Sequence, residues 1–465
     1  MSAVARSREW WRAERLRTDR VPLLGVLFCL IVPLIPASAV LPGPLRGQGS
    51  PARLLAFAMV AVVLWRFAAR RRGAPTRSPN PGAVLMVGFL VLQLVTFVMG
   101  AFSIGNVEVE ANKDRVAIAT VAYAFVALYI ITTVRHPRQQ RYLVGALLTG
   151  LTWAMCVGVL QGFIGTDIRN LFVPFGFVNS VPDTEIIARG AAVRVVGTSL
   201  HAIEFVVLSA ATIPMALHMS RYARTPARRR CAMVSVAVAC VALPLAVSRT
   251  GLIAVLAAFV VYGVGQSVRF LMNVVTIGSV AAITYRLIYP GPIASLIASV
   301  LDSGQDDSIS ARTDDYEWVA EMFAERPWVG VGLGGNPYPE YPVLDNQWLQ
   351  AVVQGGVVGV IALALLVIAG FIGFATALRR SDGPRSRDQA YALGASFAAV
   401  AVSMVTFDLL LFQQVSALLF ILYGFLWSGT AQFGSDRSPI PMRGRDRMLS
   451  ERRAGDEAAS STDDA

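Results

Sequence analysis

The feature that most restricts this chain is a repeated one: runs of about 18 or more predominantly apolar residues, separated by short polar connections. A run of that length, coiled as a helix at about 1.5 Å per residue, matches the thickness of a bilayer's hydrocarbon. Candidate spans lie near 21–40, 53–69, 82–104, 116–134, 142–165, 201–219, 231–247, 250–266, 268–289, 347–376, 390–408 and 411–429. With 55% hydrophobic and only 15% charged residues among 465, the chain is too apolar to be soluble at this length. The expected fold is all-α: a polytopic membrane protein of about 12 transmembrane helices, with a long extracytoplasmic loop containing short helices.

Charge placement orients the spans. Connections carrying Arg70-Arg71-Arg72, Arg135/Arg138/Arg141, Arg221/Arg224/Arg228/Arg229/Arg230 and Arg379/Arg380/Arg385/Arg387 fall on the side of the amino terminus. The alternate connections carry Glu108, Glu110, Asp183, Glu185, Asp302, Asp306, Asp307, Asp314 and Asp315, with Arg46, Lys113 and Arg189 as exceptions. Basic residues stay in the cytoplasm, so both termini are expected there. Residues 1–20 form a basic cytoplasmic start, 21–430 the transmembrane domain, and 431–465 a charged, disordered cytoplasmic tail; loops 166–199 and 290–345 lie outside. Ala37-Ser38-Ala39 mimics a signal-peptidase site, but the many spans that follow favour a retained anchor.

The net charge of +11 does not indicate nucleic acid, because its arginines sit where anionic lipid accounts for them. Cys29, Cys156, Cys231 and Cys240 lie in or beside apolar spans without metal or disulfide spacing, so no metal or cofactor is expected.

Charges at span boundaries are costly and mark candidate chemistry. Arg249 lies in a tight outer turn, where a snorkelling arginine is the bland alternative. Arg194 precedes Gly197-Thr198, and His201 and Glu204 share a helix face. Arg312 opens an expected helix that Ser310 could cap, with Tyr316, Val319 and Phe323 as a packing stripe and Glu325-Arg326-Pro327 as its end. Gly330 to Gly335 reads as a tight turn or a backbone nest for phosphate. Asp345-Asn346 opens the tenth span, where Asp345 is either the helix cap or a chemical group facing an anion-favouring helix start. Arginines converging with a carboxylate from outer loops suit a pyrophosphate-bearing substrate.

Ser248-Arg249-Thr250-Gly251, then Arg312 in a helix with Trp318, then Pro327-x-x-Gly330-Val331-Gly332, then Asp345-Asn346 with Gly356-x-x-Gly359 beyond, together resemble the O-antigen ligase/Wzy O-antigen polymerase superfamily over roughly residues 194–375. The resemblance implies a glycosyltransferase-like membrane enzyme of surface polysaccharide biosynthesis. It would move an oligosaccharide from an undecaprenyl-pyrophosphate carrier to a hydroxyl of a glycan or lipid acceptor, outside the cytoplasmic membrane, without a cofactor. It implies that Asp345, Arg249 and Arg312 are catalytic, and that Arg194, His201, Glu204 and Asn346 bind substrate. Ligases that use lipid A-core show His-Asn where this chain has Asp345-Asn346. That departure, with an arginine-rich, single-lysine composition resembling high-GC bacteria, leaves polymerase and ligase both open. The alternative class is a polytopic transporter or flippase of lipid-linked glycans, for which charges deep within spans and related halves would be the signs.

Overall fold

The computed structural model describes residues 21–69, 79–102, 107–181, 188–189, 192–288, 291, 293–294, 297 and 307–429; at 188–189, 192–193 and 307–314 it describes the backbone alone. The basic start at 1–20 and the tail at 431–465 lie outside the described residues. The described residues all belong to the unit Met1–Thr430.

Apolar sequence becomes helix here because a backbone without water must satisfy its hydrogen bonds within each segment. In chain order the helices are α1 (Leu23–Leu34), α2 (Pro51–Ala68), α3 (Pro81–Ala101), α4 (Val107–Thr133), α5 (Pro137–Ile164), α6 (Ala202–Tyr222) and α7 (Pro226–Leu245). They continue as α8 (Arg249–Val264), α9 (Val268–Ile288), α10 (Asp307–Glu325), α11 (Gln347–Arg379), α12 (Pro384–Ser403) and α13 (Gln413–Trp427). Seven of them, α2 to α6, α9 and α11, are long and apolar enough to cross a membrane, and α1, α8 and α13 are shorter apolar helices. The chain is a polytopic helical membrane protein.

Side-chain distribution follows. All 15 residues of α13 are buried, as a helix apolar on every side must be. It runs against α1, α4, α6, α11 and α12. By contrast α9 has no buried residue, and α3 presents Val84, Val87, Val91 and Val98 outward. Apolar side chains exposed in such rows are the surface that lipid covers.

Hydrogen bonds gather the helix ends into two layers. At one end Ala37 donates to the Thr198 carbonyl (2.8 Å), Ser50 Oγ donates to Gln413 Oε1 (2.6 Å), and the Gln347 amide donates to the Met404 carbonyl (2.8 Å). There a short antiparallel pair, β1 (Ala39–Val40) with β2 (Val178–Asn179), joins two connections, and β3 (Ala188–Arg189) pairs with β4 (Ala192–Val193). At the other end Asn80 Nδ2 donates to the Trp427 carbonyl (3.0 Å) and Gln140 Nε2 to Phe425 (2.8 Å). Buried Asp388 there accepts from Arg221 (2.9 Å), Tyr262 (3.1 Å) and Gln266 (2.9 Å), with His218 Nδ1 at 2.6 Å, tying α6, α8 and α12 together. Among the described residues, the arginine-bearing connections near 135–141, 221–230 and 379–387 thus share one end.

Two local expectations are corrected. Helix α10 begins at Asp307, so Ser310 and Arg312 lie inside it and Ser310 is not its cap. Its packing face is Val319 with Trp318 and Met322, against Val331, Leu344 and Val353. Of the expected stripe only Val319 is buried; Tyr316 and Phe323 are 58% and 37% exposed, because α10 lies over the bundle's end and covers it with one narrow edge.

Candidate functional site

The glycine-rich loop and the glycines of α11 explain each other. At Gly356 the backbone (φ 54°, ψ −142°) leaves the helical region, which breaks α11 into two pieces. The broken ladder exposes backbone groups that need partners. Residues 327–332 supply them: Val331 donates to Val353 (2.9 Å) and Gly332 to Gln354 (2.9 Å), while Val357 donates to Pro327 (2.8 Å) and Val358 to Trp328 (3.1 Å). The same loop is pressed against α3, where a Cβ on Gly332 would lie 2.5 Å from the Gly100 Cα. These amides are committed to carbonyls, so the loop is a structural plug and not a phosphate nest.

The plug sets the first piece of α11 at a fixed angle. Asn346 caps it, its Oδ1 accepting from Trp348 (2.8 Å) and Leu349 (3.4 Å). The capping role therefore falls to Asn346, and Asp345 is released from it. Gln347 Oε1 accepts from the Leu410 amide (2.6 Å), fastening the helix start to the 404–412 connection. That connection carries Asp408.

Asp345 and Asp408 line the same cavity of about 350 Å³. Burial pushes the Asp408 carboxyl up to about 7, the nearby Asp345 charge pushes the same way, and the Leu411 amide partly offsets both. Asn336 lies beside them, donating to Gln350 Oε1 (2.9 Å) and accepting from Gln354 Nε2 (2.8 Å), so three amides form one polar wall. Arg53 from α2 and Arg115, Asn112 and Tyr123 from α4 form another part of the lining, and Leu363 and Phe420 add apolar surface.

The other sequence-marked residues lie off the lining of this cavity. Arg194 Nε donates to the Ala246 carbonyl (3.2 Å) and the Val195 amide to Leu245 (3.3 Å), so Arg194 lies on the turn that leads into Arg249. Arg249 is the first residue of α8. In that turn Val247 is held at φ 43° while fully buried, a backbone state that β-branched residues avoid and that packing must enforce. His201 caps α6, Nδ1 accepting from the Ile203 amide (3.3 Å). Burial, aided by the Arg194 charge, holds its imidazole down to about 4, so it is neutral. Its ring centroid lies 6.0 Å from that of Phe412, a cavity-lining residue.

Glu204 is fully buried and accepts from the amides of Leu200 (2.9 Å), Gln414 (2.7 Å) and Val415 (3.1 Å). A carboxylate at the start of α13 satisfies amides that a helix leaves free. Its contacts are to backbone, which makes it a brace between α6 and α13. Arg312 lies on α10 with its side chain outside the described residues. Arg194, Arg249, His201 and Glu204 do not line the cavity that holds Asp345.

Sequence reasoning missed Arg53, Arg115 and Asp408. Each is a charge inside or at the edge of an apolar run, the signal that was available and that singled out Arg249. Among the described residues no group of three or more His, Cys, Asp or Glu side chains is placed to share a metal ion.

Fold and site define a class: a polytopic helical membrane protein with a carboxylate-bearing cavity. Residues 234–364 match the family model described as O-antigen ligase, so the resemblance read from the motifs holds over α8 to the break in α11. Arg249, Arg312, Asp345 and Asn346 fall inside the matched stretch; Arg194, His201 and Glu204 precede it. No curated protein matches the chain.

Proposed function

We propose that this protein is a membrane glycan ligase or polymerase. It transfers an oligosaccharide from a polyprenyl-pyrophosphate carrier to an acceptor hydroxyl at the outer face of a bacterial cytoplasmic membrane. The observation that carries the reading is Asp345, exposed in the cavity, freed from capping by Asn346, and near enough to Asp408 for its charge to act on that carboxyl. The O-antigen ligase match supports it, because Asp345 and Asn346 lie within the matched stretch.

In this reading twelve helices span the bilayer, both termini are cytoplasmic, and the cavity end faces outward. Asp345 takes the proton of the acceptor hydroxyl, whose oxygen attacks the anomeric carbon from the face opposite the carrier. The bond from that carbon to the pyrophosphate oxygen breaks, and the pyrophosphate leaves as an anion on its lipid. Arg249, Arg312 and Arg194 neutralise the charge that grows on it. His201, neutral and beside Arg194, orients substrate by hydrogen bonding, not by charge.

The test is purified protein in nanodiscs, given a lipid-linked oligosaccharide and an acceptor, with products sized. A longer glycan that disappears with D345N and with R249A supports the reading. Movement of the lipid-linked glycan across vesicles without any new glycosidic bond would instead establish the transporter alternative.

A further inference from the structure

The cavity holds a charge problem that the reaction above leaves unused. Arg53 and Arg115 both line it, and their positive charges act on each other. Neither guanidinium meets a carboxylate among the described residues: Arg53 donates to the Gly47 carbonyl and Arg115 to the Asn112 side-chain oxygen. Beside Arg53 lies Tyr123, only 3% exposed, whose buried hydroxyl interacts with the Arg53 side chain. Two like charges on one cavity wall with no carboxylate facing them repel each other and leave guanidinium donors turned to the cavity. An oxyanion would satisfy all of them, because guanidinium forks and a phenol are its natural donors.

Asp345 and Asp408 are not that anion. They line the same cavity, yet among the described residues neither forms an ion pair with Arg53 or Arg115. The arginines assigned to the carrier's pyrophosphate, Arg194 and Arg249, lie off the cavity lining, whereas Asp345, assigned to the acceptor, lies on it. We infer that Arg53, Arg115 and Tyr123 form a binding site for an oxyanion, a carboxylate or phosphate group carried by the glycan acceptor. The acceptor is therefore an anionic glycan. That assignment rests on the proposed transfer reaction; the existence of the anion site does not.

Two measurements separate these layers. In the first, the melting temperature of the full chain in nanodiscs is followed with D-glucuronate, inorganic phosphate or D-glucose at matched ionic strength. Wild type should be stabilised by the two anions and not by glucose, and R53Q/R115Q should lose that response. The single R115Q, at a more exposed position, should weaken it without disturbing the Gly47 contact, which keeps the test open if the double variant folds poorly. An anion response unchanged in R115Q and in the double variant overturns the site. In the second, acceptor and donor KM are measured in the transfer assay. R115Q should raise KM for a uronic-acid or phosphate-bearing acceptor on the order of tenfold, leave that for a neutral analogue unchanged, and leave donor KM within about twofold. A rise in donor KM alone overturns the acceptor assignment and gives the site to the carrier. If wild type makes no product while the anion response holds, the transfer reading fails and the site stands.

Discussion

Replacing Gly356 with alanine tests whether the break in α11 is enforced by the glycine-rich loop. The Gly356 backbone lies in a region that is almost exclusive to glycine, and a Cβ there would stand 2.4 Å from the Pro327 carbonyl oxygen. Holding alanine in that state costs about 1–3 kcal/mol before the steric overlap is counted. Relief requires the loop to withdraw, giving up the hydrogen bonds between 327–332 and 353–358, each worth about 1 kcal/mol net. The cheaper of these routes still costs about 3 kcal/mol, which is roughly a hundredfold in the equilibrium between seated and withdrawn loop. Hydrogen exchange followed by mass spectrometry reads that equilibrium at the amides that donate across the break: Val331, Gly332, Val357 and Val358. In G356A their exchange should accelerate by about two powers of ten, while peptides from α6 and α13 stay protected as in wild type. Transfer activity should fall with it, because Asp345 is aimed by the piece of helix the plug holds. Unchanged protection at those amides in a folded G356A protein would falsify the interlocked plug.

Asp408 gives a pH signature. Its carboxyl, raised from 3.8 to about 7, holds its proton more tightly folded than unfolded. That contribution to stability is complete below about pH 4 and is lost as pH rises through about 7. Melting curves from pH 4 to 8 should show the loss in wild type and a flatter profile in D408N, and D345N should move the transition to lower pH. Glu204→Ala leaves the amides of Leu200, Gln414 and Val415 without their acceptor and should destabilise by about 3 kcal/mol or more, measured by thermal unfolding. Glu204→Gln should be milder, since one oxygen can still accept. Asn346→Ala removes the cap of α11 and should cost about 0.5–2 kcal/mol, with loss of transfer activity exceeding loss of folded protein if the cap also aims Asp345.

The legible part of the site was the part written locally. The Ser248-Arg249 turn, the Pro327 to Gly332 loop and Asp345-Asn346 each announce themselves by glycines or charge where an apolar run should begin. Their roles were harder to read than their positions. Whether Asp345 or Asn346 caps α11 depends on a side-chain rotation that either residue could make. Glu204 looked like a partner of His201 because the two share a helix face. It is a brace because α13, more than two hundred residues away in sequence, brings its first amides onto the carboxylate.

By itself the sequence determined the helices and their alternation. Apolar length and the need to satisfy the backbone within each segment leave little else to form, and arginine placement sorts the connections into two sets. Only the tertiary structure decided which residues share a cavity. Arg53, Arg115, Asp345 and Asp408 come from four separate stretches, and contacts as distant as Ser50 with Gln413 set their meeting. A membrane helix looks alike in sequence wherever it packs, because lipid and protein interior are both apolar. Neighbours are therefore chosen by shape and by a few buried polar groups, such as Glu204 and Gln414, whose partners no local pattern specifies.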